Sequence, residues 1–142
     1  MKPKILIVSA RYYEDFSKSL ELYAVSTLEV KKLKYKIIPV PGVFEIPVVI
    51  ANNIKKYDGF IALGCVIKGE TPHFDFISQA TTSAIMNLSI ENKKPISNGI
   101  ITCLNMKQAI ARKNNKGEEA ANAVNSVLNE LELNNKDMIV DF

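Results

Sequence analysis

The chain has 142 residues, of which 47% are hydrophobic, and a formal net charge of +3. This length predicts a single domain, residues 1–142, whose core is large enough to need no disulfide or metal. Sixteen of the eighteen basic residues are lysines scattered along the sequence, which argues against a nucleic-acid-binding surface.

The sequence also argues against a membrane anchor, a secretion signal and a metal site. The apolar run near the start is short and charge follows it at once, and no apolar stretch approaches about 18 residues. Cys65 and Cys103 lie in apolar runs, which favours two buried thiols over a disulfide or a redox pair. Two cysteines and one histidine do not make a standard metal site. We therefore expect a cytoplasmic protein without a metal site.

Hydrophobic periodicity predicts strands and helices that alternate along the first two thirds of the chain. Short branched apolar runs indicate strands buried on both faces, and three- and four-residue spacing indicates helices. The predicted elements are a strand over Lys4–Ser9, a helix from Asp15 or Ser17 to about Leu33, a strand over Tyr35–Val40, a helix over Phe44–Lys55, a strand over Phe60–Ile67 and a helix over Asp75–Glu91.

The last third continues the alternation, with more polar interruptions. A strand over Ile96–Leu104 is predicted to break at Asn98-Gly99, and a short helix to run from Asn105 or Met106 to about Arg112. A polar connector, residues 113–117, then precedes a final helix over Glu118–Leu133. The whole pattern predicts a three-layer α/β/α sandwich around a four-stranded parallel sheet. So few strands leave an edge or an apolar face for a neighbour, which favours an oligomer.

One stretch, residues 63–75, has the features of a ligand site. An apolar strand ends in a loop with Lys68 and Gly69, and the loop delivers His73, the only histidine, to the start of a helix. Open α/β sheets bind ligands at such strand ends, and helix N-termini offer N–H groups to anions. His73 is either a proton shuttle that titrates near neutral pH or a structural histidine.

Other chemical groups follow the remaining strands. Glu45, at a predicted helix start, is either an exposed first-turn charge or an acceptor for ligand hydroxyls. Phe44 is either core or a wall for a flat ring, and Tyr12 either stacks on a heterocycle or is a loop aromatic. Arg112 either pairs with the end of its own helix or grips a phosphate.

These residues carry a resemblance to the lumazine synthase family. The matching segments are Arg11-Tyr12, residues 41–47 (PGVFEIP), residues 63–75 (LGCVIKGETPHFD), residues 99–102, Gln108-Ala109-Ile110 with Arg112, and Asn115-Lys116-Gly117. They span nearly the whole chain in the family's order. The resemblance implies a flavodoxin-like topology and an enzyme that joins 5-amino-6-(D-ribitylamino)uracil to 3,4-dihydroxy-2-butanone 4-phosphate, with no cofactor. It also implies a homo-oligomer, a pentamer or a multiple of pentamers, with the site between subunits.

The resemblance further implies a role for each matching residue. His73 would move protons, Tyr12 would stack on the pyrimidine, and Arg112 would bind the phosphate. The ribityl site would be lined by Val43, Phe44 and Glu45; the uracil would contact Cys65, Val66 and Ile67; the phosphate would be held by Glu70 and Thr71. Asn98, which stands where many relatives have phenylalanine, and Arg112 would come from or abut the neighbouring chain. Two other classes stay open: a carrier of lumazine or flavin, and a shell-forming protein with a vestigial pocket.

Overall fold

The computed structural model describes residues 3–69 and 72–135. Strands and helices alternate along this part of the chain. The elements in order are β1 (Lys4–Ala10), α1 (Glu14–Val30), β2 (Lys34–Val40), a 3-10 turn (Val43–Glu45), α2 (Ile46–Asn52), β3 (Gly59–Ile67), α3 (His73–Asn92), β4 (Ile96–Cys103) and α4 (Met106–Asn135).

The four strands form one parallel sheet in the order β2-β1-β3-β4. The chain therefore moves outward from β1 to β2, then crosses back to β3 on the other side of β1. This is the strand order of a flavodoxin-like fold, and β1/β3 is its switch point. The predicted α/β/α sandwich with a four-stranded parallel sheet is confirmed.

Alternating side chains of the strands build a separate core on each face of the sheet, as a period of two requires. Ile5 and Ile7 face the core that includes residues of α1 and α4. Leu6 and Val8 face the core that includes residues of α2 and α3. All four are fully buried. The sheet is therefore covered by an α1/α4 layer on one face and an α2/α3 layer on the other.

The predicted connector over residues 113–117 is wrong, because α4 runs unbroken from Met106 to Asn135. Gly117 and its polar neighbours suggested a break, but the glycine lies where α4 packs closely on α1. A Cβ atom there would be 2.5 Å from the carbonyl oxygen of Leu20. Tertiary packing thus overrides the low helix propensity of glycine.

Three other boundaries differ from the prediction. β4 continues through Asn98-Gly99, because Gly99 lets Leu63 and the Ala62 carbonyl approach its backbone. The helix predicted over Phe44–Lys55 is a 3-10 turn followed by α2, which ends at Asn52. Neither Asp15 nor Ser17 caps α1, since its N-cap position is Tyr13.

Among residues 3–69 and 72–135, no helix has both the length and the apolar character needed to cross a membrane.

Candidate active site

A cleft of about 620 Å³ opens where β1, β2 and β3 end and α3 begins. Its lining comes from the loops after β1 and β2, the last residues of β3 and the first turn of α3. The cleft thus lies outside the carboxyl ends of the strands at the switch point, where doubly wound sheets bind ligands. Its residues are Tyr12, Tyr13, Gly42, Val43, Phe44, Glu45, Cys65, Val66, Ile67, His73 and Ile77.

Two tyrosines after β1 form one wall of the cleft. The rings of Tyr12 and Tyr13 meet nearly at right angles, with centroids 4.9 Å apart. Tyr12 is 75% exposed, while Tyr13 is half-buried and packs on the α1/α4 core. Burial, the largest effect, and nearby thiol and phenol groups raise the pKa of Tyr13, so its hydroxyl stays protonated at neutral pH. Tyr12 therefore presents an exposed aromatic ring to the cleft, and the half-buried ring of Tyr13 packs against it.

The loop after β2 places a carboxylate beside an aromatic ring. The Gly42 N–H donates a hydrogen bond of 2.9 Å to Oε1 of Glu45, which fixes the side chain at the start of the turn. Within the described part of the chain, Oε2 of Glu45 makes no hydrogen bond. Glu45 is half-buried and Phe44 is 64% exposed. The loop thus presents one acceptor oxygen and one apolar ring to a ligand.

The end of β3 contributes a thiol that is chemically inert. Cys65 is buried, and burial raises its pKa to about 12, with a further contribution from the neighbouring Cys103. Because the thiolate is the reactive form of cysteine, Cys65 is no nucleophile at neutral pH. Both cysteines are free and buried, which confirms the prediction of structural thiols.

His73 is the first residue of α3 and is exposed in the cleft, with Ile77 one turn further on the same side of the helix. It stands across from the loops that carry Tyr12 and Glu45. The structure therefore brings together an imidazole, a carboxylate and an aromatic ring that are far apart in sequence.

Two of the remaining predicted residues, Asn98 and Arg112, are not among the residues that line this cleft. Asn98 lies on β4, where its Oδ1 accepts a hydrogen bond of 3.0 Å from the N–H of Ile100. Arg112 is exposed on α4, and its one side-chain hydrogen bond among the residues described is a long one of 3.5 Å, donated to the carbonyl of Thr102. Glu70 and Thr71 lie outside the described residues.

No lysine or arginine is among the described residues that line the cleft. A phosphorylated ligand would thus need a positive charge from elsewhere. No group of three or more potential metal-ligating side chains occurs within residues 3–69 and 72–135.

Several contributors to the site were missed from the sequence. Tyr13 and Ile77 line the cleft; the direction of the Tyr13 side chain depends on the backbone of the loop after β1, whereas Ile77 lies on α3. Arg11, one of only two arginines, forms an ion pair of 2.7 Å with Glu21. A signal for Ile77 existed, since it follows His73 by four residues on a predicted helix.

The strand order and the cleft at its switch point define an α/β protein of the doubly wound class with a site for a small molecule. Comparison with known sequences narrows this class. The family model described as 6,7-dimethyl-8-ribityllumazine synthase matches residues 2–132. The chain therefore belongs to the 6,7-dimethyl-8-ribityllumazine synthase family, which confirms the resemblance.

Individual relatives give the same result. A protein named 6,7-dimethyl-8-ribityllumazine synthase from Agrobacterium fabrum is 41% identical over 143 residues, covering 95% of this chain and 97% of that protein. Proteins of the same name from Bartonella bacilliformis and Bartonella henselae are 45% and 46% identical. They cover 87% and 86% of this chain, and 86% and 84% of their own lengths.

Proposed function

We propose that this protein condenses 5-amino-6-(D-ribitylamino)uracil with 3,4-dihydroxy-2-butanone 4-phosphate to give 6,7-dimethyl-8-ribityllumazine and phosphate. This is the penultimate step of riboflavin biosynthesis. The observation that carries the proposal is the cleft that unites Tyr12, Glu45 and His73. Family membership supplies the substrates, and the cleft supplies matching chemistry: a surface for a ring, an acceptor for hydroxyls and a group that moves protons.

In this proposal the ring of Tyr12 stacks on the pyrimidine of the first substrate. Glu45 accepts hydrogen bonds from ribityl hydroxyls, beside Val43 and Phe44. Because the Gly42 N–H already holds Oε1 of Glu45, the carboxylate is oriented before the substrate arrives. The end of β3, residues 65–67, contacts the uracil.

His73 is proposed to move protons as the amine attacks the ketone, one water leaves to form an imine, phosphate is eliminated, and the ribityl-bearing nitrogen closes the ring on the remaining carbonyl with loss of a second water. An imidazole suits this work because it accepts and returns protons near neutral pH. Much of the acceleration comes from holding two substrates together, so His73→Ala should slow turnover without abolishing it. The high pKa of Cys65 argues against a covalent step through its thiol.

We propose that the enzyme is a homopentamer or a multiple of pentamers, with each site between subunits. The cleft lacks a lysine or arginine among its described residues, although one substrate carries a phosphate. Arg112 is exposed away from the cleft of its own chain, so it is free to reach a neighbouring one. Arg112 and Asn98 of one subunit would then complete the cleft of the next, and Glu70 and Thr71 would hold the phosphate.

We place the protein in the cytoplasm, as one domain without a cofactor. The support is that Cys65 and Cys103 are unpaired thiols, which are typical of reducing compartments.

The proposal is tested by mixing both substrates and following absorbance of the lumazine product. Arg112→Ala should raise KM for the butanone phosphate by at least about tenfold, with a much smaller change for the uracil substrate. Lys113→Ala, next to it on α4, is the matched control and should change neither. Equal losses for both substrates would refute the phosphate role, and flavin binding without turnover would favour a carrier.

Subunit mixing tests whether the site is shared. Arg112→Ala and His73→Ala subunits are unfolded together and refolded at equal ratio. If each site takes one residue from each subunit, about a quarter of the sites in random mixed rings are intact. The mixture should then be more active than the mean of the two parents. Activity equal to that mean would place both residues in one chain.

A further inference from the structure

The side chain of Tyr12 is exposed, yet its surroundings fix its position. Tyr13, which follows it, packs its ring on buried residues of the α1/α4 core and stands nearly perpendicular to the Tyr12 ring, at 4.9 Å between centroids. Perpendicular aromatic pairs are attractive beyond the area they bury. The half-buried ring of Tyr13 therefore restricts where the exposed ring of Tyr12 can lie.

The backbone next to Tyr12 is also held. Nε and Nη2 of Arg11 donate hydrogen bonds of 3.0 and 2.7 Å to the two carboxylate oxygens of Glu21 on α1. The Ser9 hydroxyl donates a third, of 2.8 Å, to Oε2 of Glu21. The Glu21 side chain is only 9% exposed, so solvent screens this two-point ion pair less than one at the surface.

Two hydrogen bonds to main-chain carbonyls also hold the loop that carries Tyr12. The Arg11 N–H donates a bond of 2.9 Å to the carbonyl of Val40 and extends the β1–β2 pairing one residue past the strand. The Ser17 hydroxyl donates to the carbonyl of Ala10 at 2.5 Å. The loop is thus tied to β2 and α1 immediately before it reaches the cleft.

We propose that Tyr13 and Glu21 are positioning residues that hold the Tyr12 ring ready to stack on the heterocyclic substrate. This inference rests on the proposed function and adds two residues to it. A free exposed tyrosine must be ordered when a ligand binds, and bracing it in advance removes that cost. Loss of the Tyr13 ring or of the Glu21 charge should therefore weaken binding of the ring-bearing substrate and leave binding of the phosphorylated substrate unchanged.

The kinetic test compares Tyr13→Leu with Tyr13→Phe. Tyr13→Leu keeps an apolar side chain against the core but removes the ring, and should raise KM for the uracil substrate about three- to tenfold. KM for the butanone phosphate should stay within about twofold, and Tyr13→Phe should restore the uracil KM. Tyr57→Leu is the matched control, because it breaks another edge-to-face pair, with Phe60 near the start of β3, whereas the cleft lies at the end of that strand.

Glu21→Gln tests the second residue and provides an independent test if Tyr13→Leu does not fold. It keeps the side-chain shape but removes the charge that holds Arg11, so the uracil KM should rise in the same selective way. A smaller rise than for Tyr13→Leu supports the proposal, since the ring contact remains. An unchanged uracil KM in both folded variants, or equal rises for both substrates, overturns it.

Binding is measured separately so that failure of the reaction does not obscure the result. The chain has no tryptophan, so Tyr12→Trp provides a single indole in the cleft, which can be excited selectively beside the tyrosines. Titration with the uracil compound should quench it, and adding Tyr13→Leu should raise Kd about three- to tenfold. Absence of product in the wild-type assay refutes the proposed function alone. An absence of quenching, or equal Kd values with and without Tyr13→Leu, refutes the positioning role.

Discussion

The two helical layers that cover the sheet differ in how closely their helices pack on each other. In the α1/α4 layer, Leu20, Ala24 and Leu28 from α1 and Ala121 and Val124 from α4 are fully buried, and Gly117 of α4 lies against the backbone of α1. In the α2/α3 layer, Val48 and Phe76 are exposed by 68% and 67%. Apolar residues such as Leu22 and Val30 are exposed on α1 as well, so the contrast lies in the contact between the two helices of each layer.

The second layer also contains unfilled space. An open groove of about 530 Å³ lies between α2 and α3 and is lined by Phe44, Glu45, Pro47, Val48, Ala80, Thr81 and Ala84. The buried hydroxyls of Ser78 and Thr81 have no hydrogen-bond partner among the described residues. Close packing and satisfied polar groups are the norm inside a protein, so we propose this layer as the part of the surface to test for contact with another subunit.

The largest effect expected is at Gly117, where α4 touches α1. In an open helix Gly→Ala is stabilising, but here the new Cβ would lie 2.5 Å from the Leu20 carbonyl oxygen and 3.1 Å from the Ala24 nitrogen. Both atoms belong to the backbone of α1, so the helices must move apart. Gly117→Ala should lower the free energy of unfolding by about 2–3 kcal/mol, measured by urea denaturation.

Asn114→Ala is the control for helix propensity, because Asn114 is exposed on the same helix. It should be neutral or stabilising by a few tenths of a kcal/mol, roughly up to 0.7. A Gly117→Ala variant as stable as wild type would mean that the α1/α4 layer is not tightly packed, and the contrast with the α2/α3 layer would fail.

Phe76 tests the second layer. If α3 contacts a neighbouring subunit, Phe76→Asp removes the burial of an aromatic side chain and should weaken each interface by about 2 kcal/mol. Analytical ultracentrifugation should then show smaller species, and activity should fall at low protein concentration. Val30→Asp, at another exposed apolar position, on α1, is the matched control. If neither substitution changes the sedimentation, the α2/α3 layer is not the interface.

The fold was largely readable from the sequence because the two central strands, β1 and β3, are short branched runs that are buried on both faces. The period of two and the alternation with helices determine the parallel sheet. The errors occurred where local signals conflict with packing. Gly117 suggested a loop, but it permits contact between α4 and α1, and Gly99 suggested a break, but it permits close packing on Leu63. No local pattern reveals which partner a glycine approaches.

The site was predictable in location but not in detail. Strand ends converge by topology, so Tyr12, Glu45 and His73 were expected at one edge of the sheet. The bracing of Tyr12 was not predictable, because Arg11 and Glu21 are ten residues apart and pair only through the geometry of β1 and α1. Arg112 resembles a site residue in sequence, yet it lies away from the cleft of its own chain.

The Cys65 thiol should make a smaller, pH-dependent contribution to the free energy of unfolding. This contribution shows how well the thiol is buried beside the cleft. An unfolded thiol has a pKa near 9.0, whereas burial raises that of folded Cys65 to about 12. Between these values the unfolded chain releases a proton that the folded chain keeps, so rising pH favours unfolding. This group should leave stability unchanged below about pH 9 and lower it by up to about 1.4 kcal/mol per pH unit above that.

The measurement is the difference between wild type and Cys65→Ala in urea denaturation from pH 8 to pH 10.5 at one protein concentration. Tyrosines and lysines titrate in the same range, but they are common to both proteins and cancel in the difference. The curves should run parallel up to about pH 9 and converge above it. Parallel curves throughout would mean that solvent reaches the thiol through the cleft.

The smallest expected change in the free energy of unfolding comes from two substitutions at equivalent positions, one at the end of a helix in each layer. Lys32 and Lys93 follow α1 and α3 with φ of 58° and 54°, a left-handed conformation that favours glycine. Lys32→Gly and Lys93→Gly should each raise the free energy of unfolding by about 0.5–1 kcal/mol. Equal gains would mean that both layers unfold in one cooperative step. A clear gain at Lys32 with little at Lys93 would mean that α3 opens before the rest, and amide hydrogen exchange along α3 would then be faster than along α1.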